Sequence, residues 1–190
     1  LILDLEDDVA MAERAIESAD RFVVMGNLVY RAATKGYLGD VDDEDLVLAL
    51  VGAGYTQRPL VTRHTYDELI STGNLRLIRD AETKRAIRTY YSRSEFLRQW
   101  DELIQHEQMR YRDAIRGVLT PEQMLWVRES LGDVTRPPPD FDRAQFLRSL
   151  RARPAIVDSV SAIAAEQARL RNNSAGVAEH AAELIDMISN

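Results

Sequence analysis

Apolar residues near the start of the chain recur at intervals of three and four. Ile2, Leu5, Val9, Ala12, Ile16, Ala19, Val23, Gly26, Tyr30, Ala33 and Tyr37 keep this step without a break, the spacing that holds one stripe of a helix against its partners. It predicts a single helix of about five heptads, roughly 55 Å long at 1.5 Å per residue. The C-terminal segment repeats the pattern at Ile156, Val160, Ile163, Gln167, Leu170, Ser174, Val177, Ala181, Leu184 and Ile188, and predicts a second helix of similar length. Between them, the run from Asp80 has no Pro or Gly until Gly117 and carries Ile87, Tyr90, Tyr91, Leu97, Trp100, Ile104, Tyr111, Ile115 and Val118 on one stripe. That predicts a third long helix.

The connections read as shorter helices with signed ends. Asp42 or Asp43 can cap the segment that Gly52 and Gly54 stop, and Thr65 with Glu68 spells a capping box for residues 66–72. Thr120, Pro121 and Gln123 open another helix, which Gly132 ends. A Pro-rich connector at 132–141 follows; Asp142 and Gln145 open the next helix, and Pro154 interrupts the chain before the last. No run alternates long enough to suggest a strand. The expectation is an all-α fold: one domain over 1–190, an elongated antiparallel bundle of three long helices. Short helices supply a cap, at 40–79, and a partial fourth column.

The 190 residues suffice for one cored domain, and 45% hydrophobic with 29% charged residues is ordinary for a folded chain. A formal net charge of -7 disfavours nucleic acid as a partner. The charge is uneven: Leu1 to Asp20 holds seven acids against one arginine, whereas Arg76 to Arg116 holds ten basic residues against seven acids. With no cysteine, disulfides, thiolate catalysis and cysteine metal sites are excluded. No run approaches the roughly 20 apolar residues of a membrane helix. The chain opens on Leu1 inside a helical pattern, which suggests a processed or removed upstream segment.

Candidate chemistry is sparse. Glu102 with His106, and His180 with Glu183, each sit one turn apart, but neither is the Glu-x-x-His of a di-iron bundle, so solvated polar faces explain them better. The acids at Asp40 to Asp45 lack the Gly and Glu of a calcium loop, having Asp45 and Val51 there, and suit a helix N-terminus. No phosphate-loop, dinucleotide or nucleophile-elbow motif occurs. No cofactor or metal is expected. Gln167 and Ser174 interrupt the apolar seam of the last helix, which more often fixes register than lines a pocket.

The densest stretch is TRHTYDELISTGNLRLIRD, Thr62 to Asp80. Tyr66, Leu69 and Ile70 can bury one face of a short helix, Gly73 can end it in a left-handed conformation, and Asp80 can cap the next helix. Arg63, His64, Arg76 and Arg79 are left over. With Tyr66 they are the candidate anionic-ligand site; the competing expectation is that they pair with the acids at 40–45. An enzyme would use His64 as acid/base and the arginines for an anionic substrate.

Tyr66, Leu69, Gly73, Leu75 and Ile78 spell Tyr-x-x-Leu-x-x-x-Gly-x-Leu-x-x-Ile. Through this element the chain resembles a family of uncharacterised bacterial proteins with a helical domain behind one membrane helix. The resemblance implies membrane tethering through a missing upstream helix. By the positive-inside rule it implies an extracytoplasmic, periplasmic location, with the cytoplasm as the alternative. The function expected is a non-catalytic sensor-like or scaffold module, with a protein partner or a homodimer as possible partners.

Overall fold

The computed structural model describes residues 1–35, 38–99, 101–130 and 137–189. Among these the chain is all-α. In order come α1 (Ile2–Thr34), α2 (Asp43–Gly52), α3 (His64–Ser71), a 3-10 turn (Asn74–Leu77), α4 (Ala81–Gln99), α5 (Asp101–Ile115), α6 (Pro121–Ser130), α7 (Arg143–Arg151) and α8 (Pro154–Ser189). The two long terminal helices are α1 and α8. The third helical run is described as α4 and α5, and Trp100 between them lies outside the described residues, as do Tyr37 and residues 132–136 of the Pro-rich connector, Gly132 among them.

The chain forms two compact units. The first comprises 1–19, 57–102 and 169–190, and the second 20–56 and 103–168. The stretch 40–79 is therefore divided: residues 40–56 belong to the second unit and 57–79 to the first. In the first unit, Leu5 and Ala12 of α1 share a core with Ile87, Tyr90 and Tyr91 of α4, Val177, Ala181 and Leu184 of α8, and Leu75 of the 3-10 turn. In the second, Leu46 and Leu50 of α2, Tyr111 of α5, Trp126 of α6, Phe146 and Leu150 of α7 and Ile156 and Val160 of α8 are buried together.

The seam of α8 follows the sequence pattern, with every position from Ile156 through Leu184 buried, Gln167 and Ser174 included. The seam of α1 is rotated from its expected place. Leu5, Ala12, Ala19, Gly26 and Ala33 are buried as expected, but the intervening positions are Asp8, Ala15 and Val29. Val9, Ile16 and Val23 are half-buried and Tyr30 is 40% exposed. Both stripes alternate steps of three and four. An aspartate and an alanine concealed the true one from a reading that favours large apolar residues. The small side chains let helices approach closely: a Cβ on Gly26 would stand 3.5 Å from Val160.

Several helix ends are built as the sequence predicts. The Thr120 amide donates to Gln123 Oε1 at 3.0 Å and the Gln123 amide to Thr120 Oγ1 at 3.2 Å, a reciprocal capping box with Pro121 at the first helical position. Asp142 accepts from the Gln145 amide, and Pro154 is the first residue of α8. Gly117, at φ +73°, follows α5, and the Arg153 guanidinium donates to the Ala114, Arg116 and Gly117 carbonyls at that helix end.

Helix α2 stops at Gly52 as expected, with Gly54 just past it. A Cβ on Gly54 would come within 2.7 Å of the buried Tyr111 ring, so this glycine also makes room for that ring. The start of the helix differs. Asp42 flanks α2 without a side-chain cap bond.

Candidate functional site

Residues 62–80 belong to the first unit, and their anchoring begins on α1. The first amides of any helix lack intrahelical partners. At α3 one of them is met from another helix, the Thr65 amide donating to Asp4 Oδ2 at 3.4 Å; just ahead of the helix the Thr62 amide donates to Asp8 Oδ1 at 2.7 Å. The expected Thr65/Glu68 capping box is not formed. Helix α3 starts at His64, so Thr65 is already inside it, and Arg63 in the capping position makes no side-chain cap bond. Carboxylates one turn apart on α1 replace it, and they also favour the positive end of the α3 dipole.

Asp8 is fully buried. Its other oxygen, Oδ2, accepts from the Tyr90 hydroxyl at 2.7 Å. Burial pushes the Asp8 carboxyl above the ordinary carboxylate range, against the lowering effect of its bonds from Thr62 and Tyr90 and with a smaller upward push from Asp4. Burial and the Asp8 charge likewise push the Tyr90 phenol up, so it remains a donor at any ordinary pH. Both Asp8 oxygens are engaged inside the fold, so this carboxylate is not an exposed base.

The aromatic layer follows. Tyr66 of α3 stacks on Tyr91 of α4 at 4.1 Å between centroids and 12° between planes, and Tyr90 meets Tyr91 edge-on at 5.1 Å. Arg63 lies 5.7 Å from the Tyr66 ring centre and bonds Glu95 at 3.1 Å, Asp67 at 3.3 Å and the Tyr91 carbonyl at 3.4 Å. Arg63 and Tyr66 are thus brought together, as clamps that hold α3 to α4.

His64, Arg76 and Arg79 are exposed, and among the described residues their side chains make no hydrogen bond or ion pair. The expected pairing with the acids at 40–45 is corrected on two counts. Arg63 uses Glu95 and Asp67, and Asp43 is bonded by Arg143 of α7, which also donates to the Val41 carbonyl. Gly73 does take the left-handed conformation, at φ +71°, and Asp80 caps α4 through the Thr83 amide and hydroxyl. Ile70, expected on the buried face of α3, is 48% exposed.

No family model, curated protein or solved structure matches the chain.

His180 carries an arginine contact at Nε2, 3.1 Å from Arg93, and its Nδ1 faces the Gly176 carbonyl. Because a guanidinium can only donate, Nε2 is the acceptor and the proton sits on Nδ1. The ring is filled by these partners and not by Glu183. Among the described residues no group of three His, Asp or Glu side chains is placed to hold a metal ion; the side chain of Glu102 is not described. A histidine acting as acid or base is usually oriented by a bonded partner; His64 is exposed, and none is bonded to its side chain among the described residues.

Sequence reasoning missed Asp8, the residue on which the 62–80 stretch hinges. Its one available signal was position: it occupies a heptad site three after the buried Leu5 and four before the buried Ala12, where a carboxylate must find donors elsewhere in the chain.

Proposed function

We propose that this chain is a non-catalytic helical module that acts by binding, as a sensor-like or scaffold domain. The observation that supports this most is the use made of the polar residues in 62–80. Asp8, Arg63 and Tyr66 are consumed in holding α3 against α1 and α4, and His64 stands exposed without an acid or nucleophile. An enzyme that used His64 with Arg63, Arg76 and Arg79 would need them converging on one cleft, and Arg63 is committed to Glu95 and Asp67. The resemblance read from Tyr66, Leu69, Gly73, Leu75 and Ile78 adds tethering by an upstream membrane helix and an extracytoplasmic side. Among the described residues no helix is long and apolar enough to cross a membrane itself.

Two experiments test this. Replacing the gene in its own organism by a His64→Ala allele should preserve whatever a deletion abolishes; a phenotype equal to deletion would overturn the non-catalytic reading. A reporter active only outside the cytoplasm, fused after Asn190 of the full gene product, should be active, and an inactive, folded fusion would refute the location.

A further inference from the structure

Helix α4 carries an open groove of about 580 Å3, lined by Lys84, Arg85, Arg88, Thr89, Ser92 and Arg93. Four of the six are cations, two are hydroxyls and none is a carboxylate. The groove belongs to the first unit and is distinct from the Arg63 clamp, and the sequence pattern alone did not single it out. Between Arg76 and Arg93 there are six cations against two acids, Asp80 and Glu82, in a chain of net charge -7. One of those acids is used as a helix cap, through Thr83.

The arrangement works against the helix that bears it. Lys84 and Arg88 are four residues apart, and Arg85 and Arg88 three, so three like charges share one face over adjacent turns, where they repel. Internal relief is partial. Lys84 has the Asp80 charge near it, Arg85 reaches Glu82 only at 4.0 Å with both side chains largely exposed, and Arg88 makes no hydrogen bond or ion pair among the described residues. Arg93 is held towards α8 by His180, which fixes one end of the groove. Guanidinium forks, an ammonium and two hydroxyls form a donor set that matches the oxygens of a phosphate group, with arginine able to bond two oxygens at once.

We propose that the α4 groove binds a phosphate-bearing anion, with Arg85 and Arg88 as its principal contacts and Lys84, Thr89 and Ser92 completing the donor set. The inference does not depend on the tether or on the absence of catalysis. An anion there neutralises the repulsion between Lys84, Arg85 and Arg88, so binding weakens as ionic strength rises. The shared chemistry admits two sources, a free phosphorylated molecule and the headgroup of an anionic phospholipid.

The test uses the whole chain and two probes. In the first arm inorganic pyrophosphate is titrated while backbone amide resonances are followed. In the second the protein is sedimented with vesicles of anionic phospholipid and with zwitterionic ones. Saturable shifts clustered at 84–93 assign a free phosphate ligand; vesicle binding without them assigns a headgroup. In either case Arg85→Gln/Arg88→Gln, which keeps good helix formers, should weaken binding about tenfold or more, as expected for charge-assisted bonds. Arg112→Gln/Arg116→Gln, at and just past the end of α5, should leave it unchanged. Response in neither arm, or equal loss in both variants, overturns the proposal. Self-association abolished by the α4 variant, with no response to either probe, overturns it too and makes the groove an interface between copies.

Discussion

At Asp8, a carboxylate stands where a leucine or alanine would continue the stripe of α1, and it is tolerated because both oxygens are met, by the Thr62 amide and the Tyr90 hydroxyl. Adjacent tyrosines on α4 should therefore respond differently to the same change. Tyr90→Phe leaves a buried carboxylate oxygen without its donor and should cost about 1–3 kcal/mol in urea denaturation. The Tyr91 hydroxyl is buried and finds no partner among the described residues, so Tyr91→Phe keeps the stack on Tyr66 and should cost nothing or stabilise slightly. The pH dependence has a definite sign. The folded carboxyl of Asp8 titrates above its unfolded value, so the folded state holds the proton more tightly. This group's contribution falls as pH rises from the ordinary carboxylate value through the folded one. The stability of the native chain relative to Asp8→Asn should decline over that window when urea midpoints are compared from pH 4 to pH 7. A constant difference would contradict the burial of the charge.

Among the elements, those whose ends are written in local chemistry were legible. The Thr120 and Gln123 box, Asp142, Asp80 and Gly73 all act within four residues, and each is formed as read. The seam of α8 was legible because its polar breaks were few and its apolar residues large. Two elements were misread for one reason: their partners are remote in sequence. The seam of α1 turns on Asp8, which looks solvent-bound until Tyr90 is brought to it, and the start of α3 is capped by Asp4 and Asp8, 61 and 54 residues away. Glycines separate in the same way. Gly73→Ala meets no neighbour and should cost only the left-handed backbone, about 1–2 kcal/mol. Gly54→Ala drives a Cβ against a Tyr111 ring whose hydroxyl is fixed on the Leu50 carbonyl at 2.6 Å, and should cost about 1–3 kcal/mol through overpacking. Thermal denaturation of the two variants checks both: loss of native near-ultraviolet ellipticity on Tyr111's surroundings should accompany only the second.

For the whole molecule, the all-α class was open to reading because periodicity alone decides it. The division into two compact units was not, since nothing in the spacing of α1 or α8 marks where one core gives way to the other. Of the five candidate residues, Arg63 and Tyr66 are joined, and His64, Arg76 and Arg79 are exposed. The exposed remainder should be dispensable for folding: His64→Ala, Arg76→Ala and Arg79→Ala together should change stability by no more than about 0.5 kcal/mol per site, measured by urea denaturation. The central claim is that 62–80 is held to α1 by the buried Asp8 carboxylate, with the half-buried Asp4 beside it, and serves as structure. Amide hydrogen exchange at Thr62 in the native chain tests it most directly. The Thr62 amide should be protected like a helix amide although it lies outside any helix, and Asp8→Ala should abolish that protection; exchange at the rate of an unstructured peptide in the native chain would contradict the account.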